Sequence, residues 1–255
     1  KPKKIFLGDG NAFGLKTEKL YEILDLIAYY FPECEGINMD ATVTSILHKS
    51  QEELEMLARK KVKHLYLGIE SGLDDVLKFM KKDHDLAQAY QAIDRLHEAG
   101  LIYDAHIMTG VAGKGRGMEN AEALAQFLNR TNPAHVVNFS MFLHKEVPLY
   151  QDIRQGTFAP ADELETIREE YHLIERIAPE KAGANILYDG FHDFIHVRVR
   201  GHLPGDKEKM LAKLNGIIQE YEGKEPVYSF VQGECPDLEY CDDGKAVWDM
   251  DRKTS

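Results

Sequence analysis

Cysteine is scarce here: Cys34, Cys235 and Cys241 are the only three in 255 residues. Three thiols exclude a disulfide framework. Cys235 and Cys241 are close enough in sequence for a small metal or redox clip, but no histidine stands near them, and incidental thiols are the better reading. Long hydrophobic runs are lacking as well. No stretch approaches the ~20 apolar residues of a membrane-spanning helix, and Lys1-Pro2-Lys3-Lys4 is followed by no apolar signal region. An unexported, cytoplasmic protein is the expectation. Basic residues fall short of acidic ones, 31 against 43, for a formal net charge of −12. That balance argues against a wide nucleic-acid-binding face, because phosphate contacts need clustered Lys and Arg. A local basic pocket stays open.

What is present describes an ordinary globular chain, 44% hydrophobic and 29% charged, long enough for a sizeable core. Short apolar runs alternate with helical periods. Lys4 to Gly8 (KIFLG) reads as a strand, and Thr17 to Phe31 as a helix with Leu20, Ile23, Leu24 and Ile27 on one face. Gly36 to Asp40 is the second strand; Ser50 and Glu53 then offer a capping box for the next helix. The third strand begins near His64 and ends in Gly-Ile-Glu-Ser-Gly. Leu86 to Ala99 is a helix stopped by Gly100, and Leu101 to Thr109 the fourth strand. A glycine-rich loop, a helix from about Glu119 to Leu128 and a fifth strand from His135 to Leu143 follow. Units recurring at roughly 30 to 40 residues fit parallel strands joined by crossover helices, in a barrel-like or doubly wound sheet.

After that the rhythm breaks. Pro160 to Ile177 reads as one long helix, Ala184 to Arg200 as strand-like pieces, and Lys207 to Tyr221 as a last helix. The expected organisation is a barrel-like domain over 1–178, a small α+β appendage over 179–222 and an acidic tail or extension over 223–255.

Ligands in such folds gather at the carboxyl ends of the strands. Those ends carry Gly8-Asp9-Gly10-Asn11, Asp40-Ala41-Thr42, Glu70-Ser71-Gly72 and Gly110 through Gly115. Glycine there lets backbone approach a ligand, and a carboxylate accepts hydrogen bonds from an amine or paired hydroxyls. Each feature has a plainer reading: GDGN as a tight turn, Glu70 and Ser71 as helix caps, His106 as a satisfied core histidine. The glycine loop lacks the spacing of a dinucleotide fingerprint and the Lys-Ser/Thr ending of a phosphate loop. Their recurrence at successive strand ends favours a polar ligand site.

Taken in order, IFLGDGNAF, DATVTSIL, LYLGIESGLDDVLKFMKK, HIMTGVAGKGRG and VVNFSMFLHKEVPLYQDIRQGTF resemble the radical S-adenosylmethionine superfamily, in its branch around the Elp3/MiaB/NifB-type domain and oxygen-independent coproporphyrinogen oxidase. The resemblance covers Lys4 to Ile177. It implies a partial (β/α)6 TIM-like barrel, its first strand missing from this chain, with the small C-terminal appendage. It also implies S-adenosylmethionine and a [4Fe–4S] cluster as cofactors, and a 5′-deoxyadenosyl radical that abstracts hydrogen from the substrate. By position, Gly8, Asp9 and Gly10 resemble the motif that binds the amino group of S-adenosylmethionine. Asp40 matches a second cofactor-contacting acid, and Glu70, with Ser71 beside it, a ribose-side polar residue. Lys82 matches a cation for the methionine carboxylate, His106 a ribose-binding position usually held by an acid, and Gly110 the start of a loop near the adenine.

The family's Cys-x-x-x-Cys-x-x-Cys, whose thiolates ligate the cluster, has no counterpart among Cys34, Cys235 and Cys241. Two explanations stand: a radical enzyme whose cluster-bearing N-terminus lies outside this sequence, or a barrel that binds a small molecule or protein partner without catalysis. The first leaves this chain inactive without that segment, and its intact form acts on a small-molecule or protein substrate with a reductant protein. The second draws on the polar group of Arg198, Arg200, His192, His196 and His202, whose plainer reading is a solvated strand face. A cofactor-free lyase needs a strand-end Schiff-base lysine or a metal triad, and neither is found.

Overall fold

The structure, a computed structural model, describes residues 2–8 and 10–230 and two short strands, Cys241–Asp242 and Lys245–Ala246. The elements in chain order are β1 (Lys4–Leu7), α1 (Thr17–Tyr30), β2 (Gly36–Ala41), α2 (Val43–Leu47), α3 (Gln51–Arg59), β3 (Val62–Glu70), α4 (Asp74–Phe79) and α5 (Leu86–Glu98). They continue with β4 (Ile102–Thr109), α6 (Gly117–Thr131), β5 (His135–Ser140), α7 (Pro148–Arg154), α8 (Glu163–Arg176), β6 (Ile186–His192), β7 (Val197–Leu203) and α9 (Lys207–Tyr221).

Seven strands form one sheet in the order β1-β2-β3-β4-β5-β6-β7. The first six are parallel and β7 runs antiparallel to β6. β1 and β7 are its two edges, so the expected partial barrel is an open one. The segment expected as an appendage supplies β6, β7 and α9, of which the two strands extend the same sheet.

Local chemistry explains the boundaries. Ser50 and Glu53 make the reciprocal capping box that starts α3. Asp85 and Gln88 do the same for α5. The long helix expected from Pro160 begins at Glu163, because Asp162 is its N-cap and accepts from the Glu165 N–H at 2.8 Å. α6 runs past Leu128 to Thr131, stopped by Asn132 in a left-handed conformation. β5 ends at Ser140 rather than Leu143, and α7, with Pro148 at its first turn, was not anticipated.

Strand alternation sorts the side chains into two faces. Leu65, Leu67 and Ile69 of β3 and Tyr103, Ala105 and Ile107 of β4 are buried in one core with Leu24, Leu54, Leu96, Leu124 and Leu173 from the helices. The opposite face of the same strands presents His64, Tyr66, Gly68 and Glu70, then Asp104, His106 and Met108. The helix side packs closest at the end of β3. A Cβ on Gly72 would lie 2.4 Å from Ala123 C and 2.5 Å from Leu124 N, both backbone atoms of α6. Gly72→Ala is therefore expected to push α6 off the corner, at a cost of about 1–3 kcal/mol. A urea titration checks this: the midpoint falls while the slope stays constant.

Candidate functional site

Register fixes which residues of the uncovered face share a level. Asp40, Tyr66 and Asp104 are direct partners across β2, β3 and β4. One level on, Gly68 pairs with His106 and His106 with Val137. At the carboxyl ends the bulge pairs Glu70 with Ile107, and the next row on the uncovered face runs from Met108 to Phe139, Phe191 and Arg198. Gly8 lies just beyond β1, and a Cβ there would come within 3.8 Å of Asp40 Oδ2.

The corner at Glu70 is strained. Its φ is +61°, a region that costs a non-glycine residue about 1 kcal/mol or more. The ladder to β4 shifts register between Gly68 and Glu70. That bulge turns the Glu70 carboxylate back over Gly68, whose Cβ would clash with Glu70 Oε1 at 2.6 Å and crowd Lys82 Nζ at 3.1 Å. Lys82 donates to Glu70 Oε1 at 3.1 Å. Glycine at 68 thus opens the space in which an acid and a cation meet above the sheet.

Ser71 points the other way. It is fully buried, and its Oγ donates to Asn120 Oδ1 of α6 at 2.6 Å, with the Gly72 N–H on the same oxygen. Asn120 in turn donates to Glu169 Oε1 of α8 at 2.7 Å, and the Gly110 N–H donates to Glu169 Oε2 at 2.8 Å. Ser71 and Gly110 are therefore fastened to the helix layer and hold the corner and the glycine loop in place. Burial pushes the Glu169 carboxyl up to about 8, so it stays neutral near pH 7. Beside it, His192 lies between Glu163 Oε2 and Glu170 Oε2, each 3.0 Å away. The two glutamates outweigh burial and raise the imidazole to about 9, while Glu163 is held low by its charged partner despite its own burial. The expectation of a solvated His192 is corrected: it is 0% exposed, because β6 turns it toward α8. Exposed His202 fits that expectation.

On the uncovered face, burial holds the His106 imidazole below its ordinary value, against the pull of Glu70, Asp40 and Asp104. A neutral ring offers one donor and one acceptor. Asp104, not singled out from the sequence, is 0% exposed, and its Oδ2 lies 2.7 Å from His64 Nδ1. Its other oxygen has no hydrogen-bond partner among the described residues. The alternation of LIYDAHIMT was the available signal, since Asp104 and His106 fall on one side of a strand.

The structure thus brings Gly8, Asp40, Glu70, Lys82 and His106 onto one face at the strand ends. Gly10 has φ +85° and open space around its Cα, which leaves its backbone accessible. Asp9 lies outside the described residues, as do the Cys235 and Cys241 thiols.

The Radical SAM superfamily model matches residues 1–128, half of the chain. The chain belongs to the radical SAM superfamily. It is 25% identical over 119 residues to a tRNA uridine(34) acetyltransferase of Methanocaldococcus infernus, covering 46% of this chain and 22% of that protein. It is 21% identical over 155 residues to the heme chaperone HemW of Bacillus subtilis, covering 60% and 40%. Among solved structures, M. infernus Elp3 with its N-terminus (1–46) deleted superposes with a TM-score of 0.62 at 16% identity, covering 86% of this chain and 54% of that one. The last shows the fold. The chain spans well under two thirds of the length of these relatives.

Superfamily members are enzymes that use S-adenosylmethionine and a [4Fe–4S] cluster. The residues fit the first: the gap over Gly68, the accessible backbone at Gly10 and the Asp40 and Glu70 carboxylates suit a cationic, hydroxyl-rich nucleoside. The described residues do not fit the second. Cys34 is buried and its Sγ donates to Gly36 O at the start of β2, away from the strand ends. No group of three or more His, Cys, Asp or Glu among the described residues is placed to hold a metal ion.

The buried titrating groups give a pH signature. Glu169 and His192 are both raised, from 4.5 to about 8 and from 6.5 to about 9. Raised groups favour the protonated fold, so their stability is full below the unfolded values and is lost as pH climbs through the folded ones. Thermal midpoints should therefore fall from about pH 4.5, where Glu169 of the unfolded chain begins to ionise, toward about pH 9. Glu169→Gln should flatten the part of that decline below about pH 8; a slope identical to wild type would contradict a neutral Glu169.

Proposed function

We propose that the strand-end half of the uncovered face, over β1 to β4, binds S-adenosylmethionine and that the chain serves a radical SAM enzyme. The observation that carries this is the Glu70 corner. A carboxylate held at φ +61° over a glycine gap, beside Lys82 and on the same face as Asp40, is strain maintained where a ligand would sit. In this reading Asp40 and the Gly8–Gly10 backbone receive the ammonium group. Glu70 accepts from ribose hydroxyls, Lys82 faces the methionine carboxylate, and neutral His106 bonds the ribose side. S-adenosylmethionine held there would supply a hydrogen-abstracting 5′-deoxyadenosyl radical, with methionine as the other fragment, if one electron from a donor protein cleaved its sulfonium C–S bond.

The chain's own groups orient the nucleoside and keep its sulfonium end fixed, where a misplacement of about 1 Å is costly. The Asn120–Glu169 link between Ser71 and Gly110 fixes the two loops on either side of it. The partners proposed with this reading are a small-molecule or protein substrate and an electron-donating protein. The alternative reading is a barrel that binds a small molecule or protein partner without catalysis.

Glu70→Gly separates strain from function. Glycine accepts φ +61° without cost, so the thermal midpoint should hold or rise by the equivalent of about 1 kcal/mol. S-adenosylmethionine affinity, measured by calorimetry on the full chain, should fall at least about tenfold, the worth of a charge-assisted bond. Unchanged affinity in this variant would remove Glu70 from the site.

A further inference from the structure

On the uncovered face, the strand-end row that starts at Met108 of β4 continues to Phe139 of β5, Phe191 of β6 and Arg198 of β7. These three flat groups stand side by side. The Phe139 and Phe191 rings stack at 5.5 Å and 16°, and the Arg198 guanidinium lies 4.7 Å from the Phe191 centroid from the other neighbouring strand. On its far side Phe139 meets His106 at 6.1 Å and 87°. Both phenyls lie outside the helix-side core and are only half-buried.

We infer that this β5–β7 half of the uncovered face binds the substrate, and that the substrate carries a planar conjugated ring with a carboxylate or phosphate attached. The inference rests on the reading of β1 to β4 as the cofactor side and names what lies beside it. With the faces of Phe191 taken by Phe139 and Arg198, a ligand meets ring edges. Edges carry partial positive charge and attract the electron-rich face of another ring. A saturated ligand gains no such contact.

Charge supplies the second half. Asp189, nearly buried, grips Arg198 through two bonds of 2.8 and 2.6 Å, and Arg200 Nε lies 3.6 Å from the same carboxylate. Two guanidinium groups against one carboxylate leave a local surplus of one positive charge on a chain of net −12. The Arg200 side chain is 56% exposed, and exposed His202 follows on the same strand face. Asp189 fixes the pair and leaves Arg200 free to take an anion, which a planar guanidinium grips in two-point fashion.

The test titrates the full chain by calorimetry with guanosine 5′-monophosphate, quinoline-2-carboxylate and cyclohexanecarboxylate, each with and without saturating S-adenosylmethionine. At least one planar probe should bind with the cofactor present, and which of the two does so tells a nucleotide from an aromatic carboxylate. Arg200→Ala should weaken that probe about tenfold, and Phe191→Leu should weaken it too. Neither variant should change S-adenosylmethionine affinity. The inference is overturned if neither planar probe saturates, if the cofactor displaces them, if cyclohexanecarboxylate binds as tightly, or if Arg200→Ala has no effect. Failure of S-adenosylmethionine to bind while a planar probe still depends on Arg200 would instead remove the cofactor reading and leave this site standing.

Discussion

Three buried glutamates on one helix govern the candidate site. Glu163, Glu169 and Glu170 of α8 sit behind the strand ends and are at most 1% exposed. Burying a carboxylate costs several kcal/mol unless it is paired or neutralised. α8 does both: Glu163 and Glu170 share the imidazolium of His192, and Glu169 keeps its proton. Their remaining lone pairs are satisfied by the strand ends themselves. Ser140 donates to Glu163, Asn138 and Tyr188 to Glu170, and Gly110 to Glu169. Asn138 also accepts from the Thr109 N–H, which ties β5 to β4 at the same level. Moving any of these ends by the length of a hydrogen bond would strand a buried acceptor, at about 1–3 kcal/mol each. The carboxyl ends of β3 through β6 are therefore set by one network, and whatever binds in front of them meets a rigid floor.

That rigidity explains how Glu70 persists in a left-handed conformation. The residue after it cannot relax, because Ser71 and Gly72 both bond Asn120. The residues before it cannot, because β3 is paired on both sides. Asn120 connects the corner to Glu169, so the strain at the front is held by the charge arrangement at the back. A residue held against its backbone preference persists only where the surrounding structure over-determines it. Here it places a carboxylate over Gly68 that an ordinary strand end would direct elsewhere.

Much of the fold was legible because parallel strands bury long apolar runs and each crossover helix repeats the spacing. The Ser50–Glu53 box was legible for the same local reason: two side chains and two backbone groups three residues apart suffice. Facing was harder to read. Glu70 and Ser71 are neighbours in sequence, yet one lies over the sheet and the other enters the helix layer. Strand alternation assigns them to opposite sides, so adjacency in sequence does not make them one site. His192 was misread because its partners come from a helix more than 20 residues earlier, which no local spacing announces. Glu163 and Glu170, seven residues apart on one face of α8, are the sequence sign that something cationic lies opposite. The sequence also gave no warning that Phe139, Phe191 and Arg198 align, since that depends on the register of three strands, one of them antiparallel.

The uncovered face divides by chemistry along its width. From β1 to β4 its polar groups at the strand ends are mainly acidic, Asp40 and Glu70 with Lys82 as counterweight; from β5 to β7 they are rings and guanidinium groups with Asp189 as counterweight. A sulfonium nucleoside is cationic at its reacting end and suits the first half. The second half repels such a cation and favours an anion. One sheet can therefore keep two ligands of opposite charge in order without a wall between them, because each is attracted to its own half and repelled from the other. In the proposed arrangement the boundary between the two halves falls near His106 and Met108, where burial holds the imidazole below its ordinary value. The division follows from which strands carry which charges, and so from the order in which the chain lays them down.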